Sequence, residues 1–503
     1  MMHLRRATLA VSTLVLALSG AAWANGPSPA PTPDPAPAPA PAPSPDPAPA
    51  PTPSPDPQAA QSTPPPAPLQ LQLGSITITP VGFLDATAVW RSKAAGSGIG
   101  SNFGSIPFDN AVPGGKLNEF RFSPQNSRVG FRIDGNWKGT KFTNYLETDF
   151  LGTGAANNIG VTNGAFVPRL RLFWVSLRKG SWEVLGGQSW SMFSANRKGI
   201  SAVPGDIFYS QVFDVNYLIG MPWTRQPGFR VLYHGAGDKV TFGLSAENPN
   251  QYMGGYGGGG QIVLPAALSA VGGTQLDNGT ASFLSTPNPR PDIIAKLAFD
   301  PVSRVHFEIG GISREFKIFN TSTGQPNSGQ TSTAEGAGGE VNGNFEVAKG
   351  FHLISNNQYG QGIGRYFFGN APDVVVRADG TLSPIHTFTT TDGFEETVHN
   401  TLLYFYFGGI YIGKDVAVDT NGSLVGWGYT GSSNSQNRSV NEYTFGINQT
   451  LWKSAAYGAI NIMGQYEYAT RTPWYVASGA LDHASDHTVY FDLRYTLPGS
   501  APK

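Results

Sequence analysis

The stretch SRVGFRIDGNWKGTKFTNYLETDF, residues 127–150, decides the fold, because apolar and polar side chains alternate along both of its halves. The apolar residues that share one face are Val129, Phe131, Ile133 and Trp137 in the first half, and Phe142, Leu146 and Phe150 in the second. The polar residues of the opposite face are Arg128, Arg132 and Asp134, followed by Tyr145, Glu147 and Asp149. Successive side chains of a β-strand point to opposite faces. The stretch therefore predicts two strands, each with one apolar and one charged face, joined by a short turn.

Similar two-faced segments recur over residues 70–503, and the connections between them alternate in length. The short turns are predicted at 136–140, 178–181, 235–238, 300–303, 348–350 and 452–455. The long loops are predicted at 91–118, 152–167, 191–223, 248–289, 320–338, 414–437 and 472–485. Tight turns at one end and long loops at the other are typical of outer-membrane barrels. We therefore predict an all-β, antiparallel transmembrane barrel of about sixteen strands, with one loop and one strand placed in 361–397.

The composition excludes several other classes of protein. Charged residues make up 13% of the chain, about half of the roughly 25% found in a typical soluble domain. The formal net charge is −1, and no run of Lys and Arg follows the first residues, so we expect no nucleic-acid partner. The absence of cysteine excludes disulfides and thiolate metal sites. A barrel with lipid outside and water inside is consistent with this composition.

The N-terminal part of the chain divides into two segments. Residues 1–24 are predicted to be a secretory signal peptide, with Arg5 and Arg6, a short apolar run, and the cleavage site Ala22-Trp23-Ala24. Residues 25–69 are rich in Pro and Ala and favour polyproline II. We predict a disordered periplasmic linker, with a periplasmic strut as the alternative.

Six short motifs follow one another along the chain: Gln125–Phe131, Glu147–Phe150, Arg169–Leu172, Gly187–Phe193, Arg225–Arg230 and Gly362–Tyr366. Together they resemble the DcaP-like trimeric outer-membrane porins of Gram-negative bacteria. The resemblance implies a sixteen-stranded barrel, a homotrimer, and passive uptake of small, often anionic, organic molecules. The chain departs from the family in two places: the Pro/Ala tract replaces a helical periplasmic segment, and the chain continues past Tyr495 to Lys503.

The pore-lining candidates are the charged residues of the predicted inner face, because a porin selects by width and by the charge at its constriction. The basic candidates are Arg128, Arg132, Arg169, Arg171, Arg225 and Arg230. The acidic candidates, expected to face them, are Asp85, Asp134, Glu147, Asp149 and Glu308. Guanidinium groups suit carboxylates and phosphates, which favours a modest preference for anions such as dicarboxylates. The alternative is that the two sets pair and only keep the wall polar.

Three further features of the sequence have two interpretations each. The loop 191–223 either folds into the pore or lies on the surface. Aromatic residues near strand ends predict an interfacial girdle, with β-propensity as the alternative; they are Trp90, Trp137, Trp182, Trp190, Trp452 and Tyr495. The glycine run 254–260 lacks the lysine and the following helix of a phosphate-binding loop, so we predict an exposed flexible loop there.

Two other functions stay open beside the porin, namely an outer-membrane barrel hydrolase and a soluble, secreted β-sandwich binding protein. No G-x-S-x-G motif stands between a strand and a helix. His483 and His487 lie four residues apart without a third metal ligand in evidence. We therefore assign no catalytic residue, no metal and no cofactor. The expected partners are small hydrophilic solutes, outer-membrane lipid and lipopolysaccharide, and further copies of the chain.

Overall fold

The computed structural model describes residues 69–95, 98–152, 166–207, 210–280 and 284–500 of the 503-residue chain. The predicted signal peptide, nearly all of the Pro/Ala-rich segment and most of the loop predicted at 152–167 lie outside the described residues. Within the described ranges, no helix is long and apolar enough to span a bilayer.

The described residues form strands β1 to β22 and a few short 3₁₀ helices. The first eleven strands are β1 (Leu71–Leu73), β2 (Ile76–Arg91), β3 (Glu119–Ser123), β4 (Arg128–Trp137), β5 (Thr140–Gly152), β6 (Val167–Lys179), β7 (Trp182–Trp190), β8 (Arg225–Gly235), β9 (Val240–Glu247), β10 (Asp292–Val302) and β11 (Val305–Phe319). The remaining strands are β12 (Thr331–Ala348), β13 (Phe351–Gln361), β14 (Val374–Val376), β15 (Leu382–Pro384), β16 (His386–Val398), β17 (Thr401–Ile412), β18 (Asp415–Val418), β19 (Leu424–Trp427), β20 (Asn437–Ser454), β21 (Gly458–Pro473) and β22 (Ala484–Thr496). The 3₁₀ helices are Phe103–Ser105, Pro204–Asp206, Ala266–Val271 and Gly364–Tyr366.

The main sheet closes on itself. Antiparallel pairing runs from β4 round to β22, and β22 pairs with β2 in the register Phe83↔Thr496. The other edge of β2 pairs with β4 along its first half and with β3 along its second half, so β3 and β4 act as one interrupted strand. The wall therefore has sixteen strands among the described residues, and the short strands β14–β15 and β18–β19 form separate hairpins. The predicted barrel is confirmed, and a two-sheet sandwich is excluded.

The connections are short at one end of the barrel, which we call the turn end, and longer at the other, the loop end. The loops with described residues are L1 (92–118), L3 (191–224), L4 (248–291), L5 (320–330), L6 (362–385), L7 (413–436) and L8 (474–483). The connection L2 between β5 and β6 lies almost entirely outside the described residues. The β4–β5 turn consists of Lys138 and Gly139, whose φ angles are 50° and 77°. Two consecutive positive φ values are what a two-residue hairpin turn of type I′ requires.

The prediction for the loop 320–338 is wrong in its second half. Residues 331–338 are the start of β12 and pair with 312–319 of β11. The segment is small and polar, with a weak strand propensity, but its backbone completes the ladder of a closed wall. The segment 361–397 contains L6 followed by β16, as predicted.

The two faces of the quoted stretch are as predicted. Phe131 and Trp137 are 52% and 66% exposed on the outside of the barrel, where apolar side chains suit lipid. Tyr145, Glu147 and Asp149 are buried on the inside. Of the predicted girdle, Trp137, Trp182 and Trp452 are exposed on the outer wall, and Trp90 and Tyr495 are half-buried. The prediction is wrong for Trp190, which is 1% exposed because it ends β7 on the inner face, against arginine side chains.

Candidate functional site

The loop L3 runs inside the barrel. Its backbone amides donate hydrogen bonds to inward-facing side chains of β9, β11, β17, β20 and β21. These bonds join Met192 to Glu247 (2.7 Å), Asn196 to Glu308 (3.2 Å), Gln211 to the Tyr406 hydroxyl (2.9 Å), Phe213 to Gln465 (3.2 Å) and Ile219 to Glu442 (3.0 Å). Of the two interpretations of the loop 191–223, the inward fold is therefore correct. Phe208 and Tyr209 of this loop lie outside the described residues.

The first part of L3 descends towards the turn end. The Arg197 guanidinium forms two hydrogen bonds with the Glu395 carboxylate, at 3.0 and 2.8 Å. The amide of Gly199 donates to the Asp300 carboxylate at 2.9 Å. Glu395 and Asp300 both lie close to the turns that end β16 and β10. L3 therefore crosses most of the height of the lumen.

A buried ion cluster holds this descending part of L3. The Lys296 ammonium lies 3.2 Å from Glu308 and 3.0 Å from Glu340, and none of the three side chains is exposed. The same ammonium donates to the Ser194 carbonyl at 2.9 Å. His306 adds contacts with Glu308 at 3.4 Å and with Asp300. Glu308, predicted to face the arginines, thus belongs to a cluster that anchors L3.

The predicted basic residues of β4, β6 and β8 form what we call the arginine wall: Arg128, Arg132, Arg169, Arg171 and Arg225. Arg171 lies 2.8 Å from both Glu147 and Asp149, and Arg169 lies 2.7 Å from Asp149. Arg132 pairs with Asp134 at 2.7 Å. The expectation that these carboxylates face the arginines is therefore wrong, because adjacent strands place both signs of charge on one wall.

The remaining two pore-lining candidates, Asp85 and Arg230, contact residues that were not predicted from the sequence. Asp85 on β2 pairs with Arg494 on β22 at 2.9 Å, and Arg494 also contacts Asp492. Asp492 and Arg494 are two residues apart on β22, the strand that closes the barrel. Because side chains two residues apart share one face of a strand, the sequence could have identified both as inward-facing. Arg230 is buried and donates to the Ser189 hydroxyl at 2.8 Å and to the Trp190 carbonyl.

Two members of the arginine wall, Arg128 and Arg225, have no carboxylate of the described residues within ion-pairing distance. Arg128 donates to the Tyr217 hydroxyl of L3 at 3.0 Å. Arg225 lies over the Trp190 ring, 5.4 Å from its centroid, and its Nη1 is buried without a hydrogen-bond acceptor among the described residues. A buried charged donor without an acceptor is costly, so this corner of the lumen suits an anion.

The phenol of Tyr217 shows how positive this corner is. It accepts hydrogen bonds from Arg128 and from Arg171, the second at 3.2 Å. Burial by itself raises the pKa of Tyr217, but the nearby guanidiniums, Arg128 foremost, outweigh burial and hold the pKa below its ordinary value. A phenol whose ionised form is favoured reports a positive potential at its oxygen.

Some inward side chains of the arginine wall remain partly exposed. Arg132 and Asp134 are 26% and 28% exposed, and Arg169 is 40% exposed. On β10 and β11, by contrast, Lys296 and Arg314 are at most 1% exposed. Water therefore reaches these three charged groups of the arginine wall, but not Lys296 or Arg314.

The loop L6 also enters the barrel, next to L3. Arg314 on β11 lies 3.0 Å from Asp292 on β10 and 2.8 Å from Asp373 in L6. Arg365 and the Tyr366 hydroxyl contact the same Asp292 carboxylate at 2.7 and 2.8 Å. The resemblance pointed to Gly362–Tyr366, but not to this buried network, because Asp373 lies in a loop without periodicity.

The prediction of an exposed loop at the glycine run 254–260 is wrong. Gly257 packs against Phe368 and Asn370 of L6, Gly258 against Ser105 of L1, and Gly260 against Ser435 of L7. The residues are buried or half-buried. Glycine allows these close approaches because a Cβ atom at Gly257 would lie 2.8 Å from the Phe368 carbonyl.

The pair His483 and His487 does not form a metal site in the structure. His483 is exposed beside Asp482, and His487 hydrogen-bonds to Tyr466 at 2.7 Å. Among the described residues, no group of three or more His, Cys, Asp or Glu residues is arranged to hold a metal ion.

Comparison with known proteins yields matches among solved structures. No protein-family model matches the chain, and no curated protein sequence matches it. The outer membrane channel DcaP of Acinetobacter baumannii aligns over 84% of this chain and 98% of its own, with 15% identity and a TM-score of 0.60. OmpT of Vibrio cholerae covers 85% and 99% with 9% identity, and OmpF of Salmonella typhi, solved with daunomycin, covers 85% and 99% with 10% identity; both have a TM-score of 0.45. This chain therefore has the fold of the outer membrane channel DcaP, which confirms at the level of the fold the resemblance found in the sequence motifs.

Proposed function

We propose that this chain is a porin of a Gram-negative outer membrane, which lets small hydrophilic solutes diffuse passively and prefers anions. The observation that carries the proposal is the pair Arg128 and Arg225, two lumen guanidiniums without a carboxylate partner among the described residues, beside the half-exposed Arg169. Guanidinium groups bind carboxylates and phosphates through paired donors.

The outer wall supports placement in a membrane. Large apolar side chains such as Phe131, Phe173 and Phe229 are 52%, 59% and 75% exposed on the outside. A soluble protein rarely exposes so continuous an apolar surface, whereas a barrel in lipid requires one. In this placement the turn end faces the periplasm and the loop end faces outwards.

The arginine wall supports the preference for anions. Most of its charges are balanced by Glu147, Asp149 and Asp134, so the wall is polar but not strongly charged overall. Arg128 and Arg225 add uncompensated positive charge at the height of Tyr217. A positive potential in a narrow, low-dielectric passage concentrates anions, so small organic acids such as dicarboxylates are the solutes we expect.

The inward-facing histidines do not favour a hydrolase. His234 contacts Glu183 at 3.0 Å, and His306 contacts Asp300 at 2.9 Å. Both histidines lie near the turn end, and carboxylate oxygens contact their ring nitrogens. We therefore keep the channel as the proposed function.

The partners that we propose are lipid around the barrel and two further copies of the chain. An apolar groove of about 600 Å³ lies on the outer wall of β4 to β7, and Leu71, Phe131, Leu146 and Phe173 line it. An apolar concave surface of this kind suits a subunit contact. Light scattering of the detergent-solubilised protein tests the trimer, and a monomer at all concentrations would contradict it.

Liposome swelling tests the proposed function. The full chain is reconstituted, and swelling is followed in isotonic solutions of a neutral sugar, an amino acid and a dicarboxylate of similar size. We expect the dicarboxylate to enter fastest, and R128Q/R225Q to remove that preference while sugar uptake persists. Lys138→Gln, which removes one positive charge from the β4–β5 turn, is the matched control. The absence of swelling with every solute would refute the porin.

A further inference from the structure

Two loops from different parts of the chain meet above the arginine wall. The rings of Trp223 in L3 and Phe368 in L6 are stacked, with their centroids 4.7 Å apart and an angle of 26° between their planes. The amide of Trp223 donates to the Tyr366 carbonyl at 3.2 Å. Trp223 also contacts the ring of Tyr217 at 4.9 Å. We call the Trp223–Phe368 pair the aromatic clasp.

The aromatic clasp stands directly beside the uncompensated charge of the lumen. Trp223 is two residues from Arg225 in the chain, and its ring lies 6.3 Å from that of Trp190, over which the Arg225 guanidinium is placed. Both clasp side chains are half-buried, unlike their neighbour Phe367, which is 1% exposed in the apolar core of the loops. The clasp therefore forms part of the wall that a solute meets next to Arg225.

Phe368 is held in a backbone conformation that phenylalanine rarely adopts. Its φ angle is 55°, a left-handed value that favours glycine. Strained residues of this kind persist where the surroundings hold them, and they are common at functional sites. Phe368 and the following Gly369, whose φ angle is 65°, form a turn, and a glycine would fit the backbone at position 368 better than phenylalanine does.

The base of the clasp is rigid. The Tyr252 hydroxyl donates to the carbonyl of Gly369 at 2.7 Å, and Gly257 packs closely against Phe368 from L4. On the other side, the amide of Arg365 donates to Asp373, which is itself paired with Arg314. Contacts from L3, L4, L6 and strand β11 thus fix the position of the half-buried Phe368 ring.

We infer that the aromatic clasp sets the size limit for solutes on the loop side of the arginine wall. The inference rests on the proposed channel function and adds a division of roles. The arginines of the arginine wall select solutes by charge, and the aromatic clasp limits the width of the solutes that can pass.

The variant Phe368→Gly tests the inference, because glycine accepts the positive φ angle and the fold should be retained. We expect single-channel conductance to rise roughly 1.5- to 2-fold, since the constriction widens, and larger solutes to swell liposomes while the anion preference is unchanged. The control is His399→Gly, which relieves a positive φ of 55° at the β16–β17 turn, outside the lumen. Trp223→Ala should widen the pore in the same way.

A labelling experiment gives a second readout that does not depend on stability. The chain contains no cysteine, so Phe368→Cys introduces a unique thiol. We expect an anionic methanethiosulfonate reagent to reduce the current, and to react faster than a cationic reagent of similar size. Unchanged conductance in Phe368→Gly together with no block of Phe368→Cys would overturn the clasp while leaving the porin intact. A wild-type protein that forms no channels would overturn both.

Discussion

Replacing Lys296 by Met is expected to destabilise the barrel strongly and to loosen L3. The variant removes an ammonium that lies 3.2 Å from Glu308 and 3.0 Å from Glu340 inside the barrel. The two carboxylates would then remain close together, without exposure and without their shared cation. The hydrogen bond from Lys296 to the Ser194 carbonyl of L3 is also lost.

The size of the destabilisation expected for Lys296→Met follows from the burial of the ion cluster. Removing one partner of a buried ion pair costs about 3–5 kcal/mol, because the remaining charge is left without compensation. An exposed pair contributes about 0–1 kcal/mol. The pair Arg304–Glu346 is of this second kind, since its atoms are 3.8 Å apart and Arg304 is 59% exposed. Arg304→Met is therefore the matched control.

The assay is urea unfolding of the detergent-solubilised protein, followed by tryptophan fluorescence and by heat-modifiable migration in gels. We expect Lys296→Met to lower the free energy of unfolding by about 3–5 kcal/mol, and Arg304→Met by about 1 kcal/mol or less. Adding Glu308→Gln and Glu340→Gln to Lys296→Met should recover part of the loss. If Lys296→Met unfolds at the same urea concentration as the control, the buried cluster does not hold L3 as described.

Three further predictions test the loops and one turn. Arg314→Met should leave Asp373 without its cation and Asp292 with Arg365 alone, loosen L6, and make the open-channel current noisier in planar bilayers; a steady current would contradict the anchoring role. Gly139→Ala places a Cβ at a φ of 77° and should lower the free energy of unfolding by about 1 kcal/mol, whereas no change in urea unfolding would count against the turn geometry. Burial raises the pKa of Asp214 in L3 despite the nearby Arg91, so the folded protein binds this proton more tightly than the unfolded chain does, and lowering the pH towards that pKa favours folding. Asp214→Asn should therefore flatten the rise in stability that accompanies a fall in pH from neutrality towards the ordinary aspartate pKa of about 4, and an unchanged pH dependence would refute this assignment.

The barrel wall could be predicted because its pattern is local. Alternation in 127–150 identified the inner and outer faces of β4 and β5, and the alternation of turn and loop lengths led to sixteen strands. Which charged side chains pair between neighbouring strands depends instead on the register of those strands. A register shift between Glu147 and Thr148 changes which residues of β6 lie opposite β5. Arg171 thereby reaches both Glu147 and Asp149, a contact that no spacing in one strand reveals.

The path of the loops could not be predicted, for a physical reason. L3 is fixed mainly by backbone amides, such as those of Met192 and Ile219, and almost every residue type has such an amide. A loop also lacks the periodicity that would indicate a buried face. The position of the glycine run 254–260 was mistaken for the same reason, since it depends on which loops fill the barrel. The position of Trp190 was mistaken because its place near a strand end does not show that its ring packs against arginines of the neighbouring strands.

The reversal potential of the wild-type protein in a planar bilayer under a potassium chloride gradient tests the anion preference most directly. We propose that solutes pass along the arginine wall, where Arg128 and Arg225 lack carboxylate partners among the described residues. This proposal predicts discrete channels and a reversal potential of the sign that chloride preference produces. A reversal potential of the opposite sign, or a bilayer without channels, would contradict it.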